Sequence, residues 1–241
     1  MNKVYWLRRT LEDVPSSNSW LSAAEQQRLD ALRIPKRRAD WRLGRWTAKQ
    51  AVCLFLDISS REHGALAPLE VRAAPSGAPE VFLRDAPANV TISISHRDGV
   101  CICTVGPARV ELGCDVETAE LRTAEFIADY FALNELQTVA DAPGPDRMWL
   151  VPLIWSAKES ALKALKEGLR ADARSVQVSL GVWNYPVSEW SPLQVTAEGR
   201  LFRGWWKMDG NSVYTFAADP PISPPTLLIH REKLTSRAVN F

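Results

Sequence analysis

Trp155-Ser156-Ala157-Lys158-Glu159 echoes Trp46-Thr47-Ala48-Lys49-Gln50, with three identities in five positions. Each segment lies on a predicted helix about 45 residues after the start of a predicted strand, at Val110 and Val4, and strands follow each helix. A unit of strand, helix and strands that occurs twice reads as two related halves in one chain. Chance is the other reading of five positions. The fold class predicted is α+β, two similar α/β halves spanning 1–106 and 107–220, with 221–241 as a C-terminal tail.

Around the first copy, 4–11 reads as a strand, 21–32 as a helix with Ser22 at its N-cap, and 39–56 as a longer helix. Pro35 falls between the two helices, where a helix should stop. Strands at 69–72 and 80–83 flank the turn Pro75-Ser76-Gly77-Ala78-Pro79. The alternating, β-branched segment 89–94 is a strand. Further strands follow at 100–105 and 110–116, separated by Gly106-Pro107. Around the second copy, helices are predicted at 123–129, 133–140 and 154–166, with Gly168 closing the last. Strands are predicted at 176–182, 193–196, 201–207 and 213–217. From Asp219 the chain is Pro-rich and then polar, which reads as a surface tail.

The 241 residues suffice for one large domain or two small ones. A hydrophobic content of 46% with ten Trp supplies a sizeable core. The formal net charge of +1 gives no global basic field for nucleic acid, so any anion site must come from a few placed residues. The longest apolar runs, such as 51–56, fall far short of the roughly 20 residues that span a bilayer. The opening Met-Asn-Lys-Val-Tyr-Trp-Leu-Arg-Arg-Thr is not a signal peptide, and the expected location is cytoplasmic. Cys53, Cys101, Cys103 and Cys114 form no CxxC pair and, with three His, no zinc spacing, so they read as reduced core thiols.

Four features carry chemistry. In Gly113-Cys114-Asp115-Val116-Glu117, strand alternation sends both acids to one side. Two such carboxylates repel unless a cation lies between them, and oxygen ligands suit magnesium. A strand end with two solvated acids is the plainer reading. On the helix at 154–166, Ile154, Ala161, Leu162, Leu165 and Leu169 form an apolar stripe. Glu159 and Lys163, four apart, share a neighbouring face, as an ordinary surface ion pair also would. Lys158 projects into the stripe, where it either snorkels or reaches a buried anion. Ser93-Ile94-Ser95-His96-Arg97-Asp98-Gly99 ends a strand with hydroxyls, an imidazole and a guanidinium that can bind phosphate. A structural His is the alternative. Arg42-Leu43-Gly44-Arg45 with Lys49 gives bases on the first long helix, or simply a solvated basic face.

This inventory suits divalent-metal phosphate chemistry. A metal-dependent nuclease is one alternative, but Thr118 and Ala119 follow Glu117 where a Lys often stands, and the net charge is near neutral. A non-catalytic coenzyme A or nucleotide binder is another, though a pure binder need not keep metal ligands.

The two motifs Gly113-Cys114-Asp115-Val116-Glu117 and Trp155-Ser156-Ala157-Lys158-Glu159-Ser160-Ala161-Leu162-Lys163 resemble the paired signatures of the 4′-phosphopantetheinyl transferase superfamily. Ser93-Ile94-Ser95-His96 resembles its upstream N-x-S-H motif, with Ser93 where Asn is commoner, and Gly44-Arg45 its N-terminal helix motif. By length the chain is similar to the surfactin-type branch, which implies a monomeric pseudo-dimer with its active site between the halves. The resemblance implies transfer of 4′-phosphopantetheine from coenzyme A to a serine of an apo acyl or peptidyl carrier protein. Such carriers belong to peptide synthetases, polyketide synthases, fatty acid synthesis or lysine metabolism. It implies magnesium, with manganese as a substitute, held by Asp115, Glu117 and Glu159. Ser95 and His96 would bind coenzyme A, His96 at the pyrophosphate. Arg45 and Arg72 would take its 3′-phosphate, and Lys158 would lie beside the phosphates. Lys163 would neutralise the leaving bisphosphate. Glu159, directly or through water, or else a metal-bound hydroxide, would take the serine proton. Gln50 stands at the position matching Glu159 in the first half, which implies one site per chain. One departure stands out: Gly77-Ala78-Pro79 replaces a Gly-Lys-Pro turn, so the amine that helps hold the 3′-phosphate is missing.

Overall fold

The computed structural model describes residues 1–58, 63–166, 172–180 and 189–229. Among them are five α-helices and three sheets. The first helix, α1 (Ala23–Ala31), starts where Ser22 Oγ accepts from the Glu25 amide and the Glu25 carboxylate accepts from the Ser22 amide. This reciprocal pairing satisfies two orphan donors. Helix α2 (Pro35–Phe55) begins four residues before the predicted 39, with Pro35 as its first residue rather than as a break before it. At that position the missing N–H is an orphan in any case.

Strands β1 (Tyr5–Thr10), β5 (Val90–Arg97) and β6 (Val100–Pro107) form a sheet with β12 (Thr226–Leu227), in the order β12-β1-β6-β5. The hairpin β2 (Leu69–Ala73) and β3 (Pro79–Leu83), with the short β4 (Ala86–Pro87), makes a separate small sheet. Helix α2 buries Trp46, Ala48, Ala51 and Val52 against these strands. In the second half, β7 (Glu111–Thr118) pairs with β11 (Ser212–Asp219), followed by β10 (Arg200–Asp209), β9 (Ser191–Ala197) and β8 (Gln177–Leu180). Helices α3 (Ala124–Tyr130), α4 (Leu133–Asp141) and α5 (Arg147–Leu165) lie between β7 and β8 in sequence. Helix α5 buries Ile154, Ala157, Ala161 and Leu162 against Leu193, Val195, Phe202 and Val213.

Helix α5 starts well before the predicted 154 and carries Pro152 inside it. Pro152 forfeits one hydrogen bond near the helix start, and burial of Trp149, Leu150 and Val151 outweighs that loss. Lys166 ends the helix in the left-handed conformation, φ 61°. Gly168, the expected terminator, Leu169 of the apolar stripe and the end of the predicted strand 176–182 lie outside the described residues.

The expectation of a surface tail from 221 is corrected over 221–229. Ile222 is buried, and β12 pairs in parallel with β1 through Thr226 N to Val4 O at 3.0 Å and Leu228 N to Trp6 O at 2.7 Å. The segment supplies β1 with an edge partner, and an unpaired edge is what strands avoid. The rest of the tail, 230–241, lies outside the described residues. All four cysteines are free and buried, as expected of core thiols. Among the described residues no helix is long and apolar enough to cross a membrane.

The two large sheets share a third core, in which Trp6 and Ile102 meet Leu112, Tyr214 and Phe216. Strand β5 lies along β7: Ser93 Oγ accepts from the Cys114 amide at 3.1 Å, and Cys114 Sγ donates to Ser93 O at 3.2 Å. On its other side β7 meets α5 directly. A Cβ at Gly113 would stand 1.8 Å from Ser160 O and 2.7 Å from Ala164 N, both backbone atoms of α5. Glycine is therefore required for this approach. Gly113→Ala is expected to lower the unfolding free energy by about 1–3 kcal/mol or more. Gly44→Ala, whose Cβ would meet only Ile94 Cγ2 at 3.8 Å, should raise it by about 0.5–1 kcal/mol through helix propensity. Equal urea midpoints for wild type and Gly113→Ala would show that α5 is not held on β7 in this way.

Candidate active site

The contact of β5, β7 and α5 gathers the polar residues. Asp115 on β7 is buried, and its Oδ1 accepts from Ser95 Oγ at 2.6 Å and from Lys163 Nζ at 2.7 Å. Lys163 also donates to Cys114 O at 3.2 Å. The second oxygen, Asp115 Oδ2, is buried without a partner, and so is Glu159 Oε1 on α5. Glu117 binds Arg122 at 2.7 Å and faces Arg97 at 3.6 Å.

The charges are strained. Burial and then the negative charge of Asp115 push the Glu117 carboxyl up to about 7, although Arg97 and Arg122 pull it down. Burial and Asp115 also raise Glu159, against the pull of Lys163. For Lys163, burial works to lower the pKa, but Asp115, the Cys114 thiol and Glu159 together hold it above the usual ammonium range. Asp115 thus repels one acid on each side and leans on one lysine. Among the described residues, no three His, Cys, Asp or Glu side chains are arranged at metal-ligand spacing; protein cations neutralise the acids instead.

Beside this cluster opens a cleft of about 390 Å³, lined among others by Arg45, Arg72, His96, Lys163 and Lys166. The volume lies within the range of small-molecule sites, roughly 300–1,000 Å³. Arg45 stacks over the Trp41 ring at 5.0 Å and keeps its Nε buried without a partner. Burial lowers its pKa, with Glu25 opposing and Arg28 assisting. Arg72 lies over Phe82 at 4.2 Å and is shared by Glu70, at 2.7 Å, and Asp85. The turn residues Gly77, Ala78 and Pro79 form part of the wall.

Of the residues predicted from sequence, Arg45, Arg72, His96 and Lys163 line this one cleft, and Ser95, Asp115, Glu117 and Glu159 cluster beside it. Lys158 does not join them. It is fully buried, with Nζ donating to Ala173 O at 2.7 Å and Val176 O at 2.5 Å and paired with Glu135 at 2.7 Å. Those three acceptors use all three ammonium protons, so Lys158 has none to offer a phosphate. Arg97 spends its guanidinium on Glu117, Glu120 and Asp98. Lys49, grouped by sequence with a basic face, is fully buried, and Arg42 donates to the Pro15 carbonyl. Sequence reasoning missed Lys166 and Arg122. Lys166 stands three residues after Lys163, a spacing that places it on the same side of a helix; Arg122 lies in the connection after β7 and had no such signal.

Residues 111–205 match the family model of the 4′-phosphopantetheinyl transferase superfamily. The chain carries a 4′-phosphopantetheinyl transferase domain. Among curated proteins none matches the chain in sequence. The transferase domain so matched holds Asp115, Glu117, Glu159, Lys163 and Lys166, whereas Arg45, Arg72 and His96 reach the cleft from outside it. The family implies an enzyme that draws phosphopantetheine from coenzyme A and delivers it to carrier proteins.

The transferase acids give a pH test. Glu117 ionises near 4.5 in the unfolded chain and at about 7 in the folded one. Between those values the folded state binds more protons, so ionisation of Glu117 removes stability as pH rises through that window. In metal-free buffer, Glu117→Gln should therefore gain roughly 2–3 kcal/mol relative to wild type between pH 4.5 and pH 8. Urea unfolding of both proteins across this range is the measurement. Parallel curves would mean that the carboxylate is fully compensated by its arginines.

Proposed function

We propose that this chain moves the 4′-phosphopantetheine arm of coenzyme A onto a serine of an apo acyl or peptidyl carrier protein, at a single site between two halves of a monomer of the surfactin-type branch. The observation that carries the reading is the pair of buried, unpartnered carboxylate oxygens, Asp115 Oδ2 and Glu159 Oε1, set beside a cleft rich in cations. Buried anionic oxygens without partners are costly and fit a missing cation. Hard oxygen donors suit magnesium, with manganese as a substitute. Asp115, Glu117 and Glu159 would hold the ion. When bound, it supplies positive charge to the pyrophosphate oxygens of coenzyme A.

The chain's own groups do the rest. Arg45, Arg72 and Lys166 meet the 3′-phosphate end, where Lys166 offsets the amine absent at Ala78. His96, next to Ser95 at the end of β5, donates to the pyrophosphate. The carrier serine oxygen bonds to the β-phosphorus, and the bond from that phosphorus to the bridging oxygen breaks. Adenosine 3′,5′-bisphosphate leaves, with Lys163 donating to the oxygen that gains charge. Glu159, directly or through water, accepts the serine proton. The two-half reading draws support from the order of strand, helices and strands on each side of residue 107, with two α-helices in the first half and three in the second. Gln50, in the place of Glu159, accepts from Arg9 Nε at 2.7 Å and lacks the charge for a second metal site.

Mass spectrometry of a panel of apo carrier proteins incubated with the chain, coenzyme A and magnesium tests the activity and reads its specificity. At least one carrier should gain the mass of phosphopantetheine. Asp115→Asn and Glu159→Gln should each reduce transfer by about 100-fold or more while melting changes little. Near-wild-type turnover by Asp115→Asn would remove the metal site from the mechanism.

Arg72 gives a second test. Loss of one charged contact to the 3′-phosphate is worth about 1.5–3 kcal/mol, or roughly 10- to 100-fold in binding. Arg72 is already shared with two carboxylates, so the lower figure is expected. Arg72→Ala should raise KM for coenzyme A about tenfold, leave 3′-dephospho-coenzyme A nearly unaffected, and change kcat little, since the contact is equal in ground and transition states. Equal losses with both donors would assign Arg72 to the hairpin rather than to the ligand.

A further inference from the structure

Two buried ion pairs have the same construction in the two halves. In the first, Lys49 of α2 binds Glu25 at 2.5 Å, Trp20 O at 2.9 Å and Leu66 O at 3.2 Å, and lies 5.8 Å from the Trp20 ring centroid. In the second, Lys158 of α5 binds Glu135 at 2.7 Å, Ala173 O at 2.7 Å and Val176 O at 2.5 Å, and lies 5.8 Å from the Phe131 centroid. Each glutamate is the third residue of the helix before. Glu25 accepts from the Ser22 amide, just before α1, at 3.1 Å and from the Val71 amide of β2 at 3.1 Å. Glu135 accepts from the Ala132 amide, just before α4, at 2.8 Å and from the Val178 amide of β8 at 2.8 Å. Both lysines and Glu135 are at most 1% exposed, and Glu25 is 4% exposed.

Each lysine has its three protons placed, and each carboxylate joins a helix start to a strand. The arrangement is a clamp that fixes one long helix to the helix before it and the strand after it. The second clamp holds α5 one residue from Glu159 and five from Lys163. We infer that Lys158, with Glu135, is a positioning residue that sets the placement of Glu159 and Lys163 for phosphopantetheine transfer, and that it does not bind coenzyme A. This rests on the roles given above to Glu159 and Lys163. The first clamp, equal in burial but on the helix that carries Arg45, is an internal control for loss of stability alone.

The test compares Lys158→Met and Lys49→Met in the full chain, with a carrier that the wild type modifies, assayed well below the melting temperature. Each leaves a buried carboxylate without its partner, so both should melt about 10 °C lower. Lys158→Met should lower kcat about 10- to 100-fold, as misplacement of reacting groups does, with KM for coenzyme A and its calorimetric Kd within about twofold of wild type. Lys49→Met should keep kcat within about threefold. The paired variant Lys158→Met/Glu135→Gln removes the uncompensated charge and should recover most of the melting temperature and part of kcat; it also serves if the single variant does not fold. A tenfold weaker coenzyme A Kd with unchanged kcat would make Lys158 a ligand and overturn the inference. An equal fall of kcat in Lys49→Met would overturn it as well, leaving only general stability. Failure of the underlying roles is read separately, as retained turnover in Glu159→Gln.

Discussion

Helix α5 rests on strand β7 at a separation that leaves no room for a Cβ at Gly113. Everything chemical in this protein depends on that approach. It places Lys163 on Asp115, brings Glu159 close enough to feel the same charge, and leaves two carboxylate oxygens without partners in the interior. A larger residue at 113 would move the helix as a unit, and the lysine and the glutamate would leave together. Strand β5 completes the arrangement from the other side, because Ser95 takes the same Asp115 oxygen as Lys163 and so turns the second oxygen inward.

Much of this was legible in the sequence, for reasons that differ by residue. Period-two alternation on a strand places Asp115 and Glu117 on one side without knowledge of the fold. Helical spacing does the same for Glu159 and Lys163. The Trp-x-Ala-Lys echo anticipated two long helices in like surroundings, and Lys49 and Lys158 are indeed held by matching sets of acceptors. What it could not anticipate was the partner. Glu25 announces itself through Ser22, three residues earlier, but Glu135 follows Ala132, which has no hydroxyl to complete the pattern. With that signal absent, a cation on an apolar stripe was assigned to the substrate's phosphates; its anion is supplied by the protein. Pro35 misled in the opposite direction, since the residue that ends a helix from within also begins one well.

The acids are balanced by long cationic side chains that work against the effect of burial. Arg97 and Arg122 hold Glu117, and Lys163 holds Asp115, while Glu117 still titrates near neutrality. Were a divalent ion held by Asp115, Glu117 and Glu159 as proposed, its binding would displace protons and loosen these ion pairs together.

Strand β12 lends the fold a dependence on the order of synthesis. Among the described residues, the outer edge of β1 is closed by residues 226–227, more than two hundred positions further along the chain. While the chain is being made, α2 and the strands of the first sheet can assemble, but that edge stays open to any other extended segment, including the same strand of a neighbouring nascent chain. Closure by a distant partner means that the first half to emerge is the last to be finished, and that its protection from mispairing arrives only with translation of the C-terminal segment.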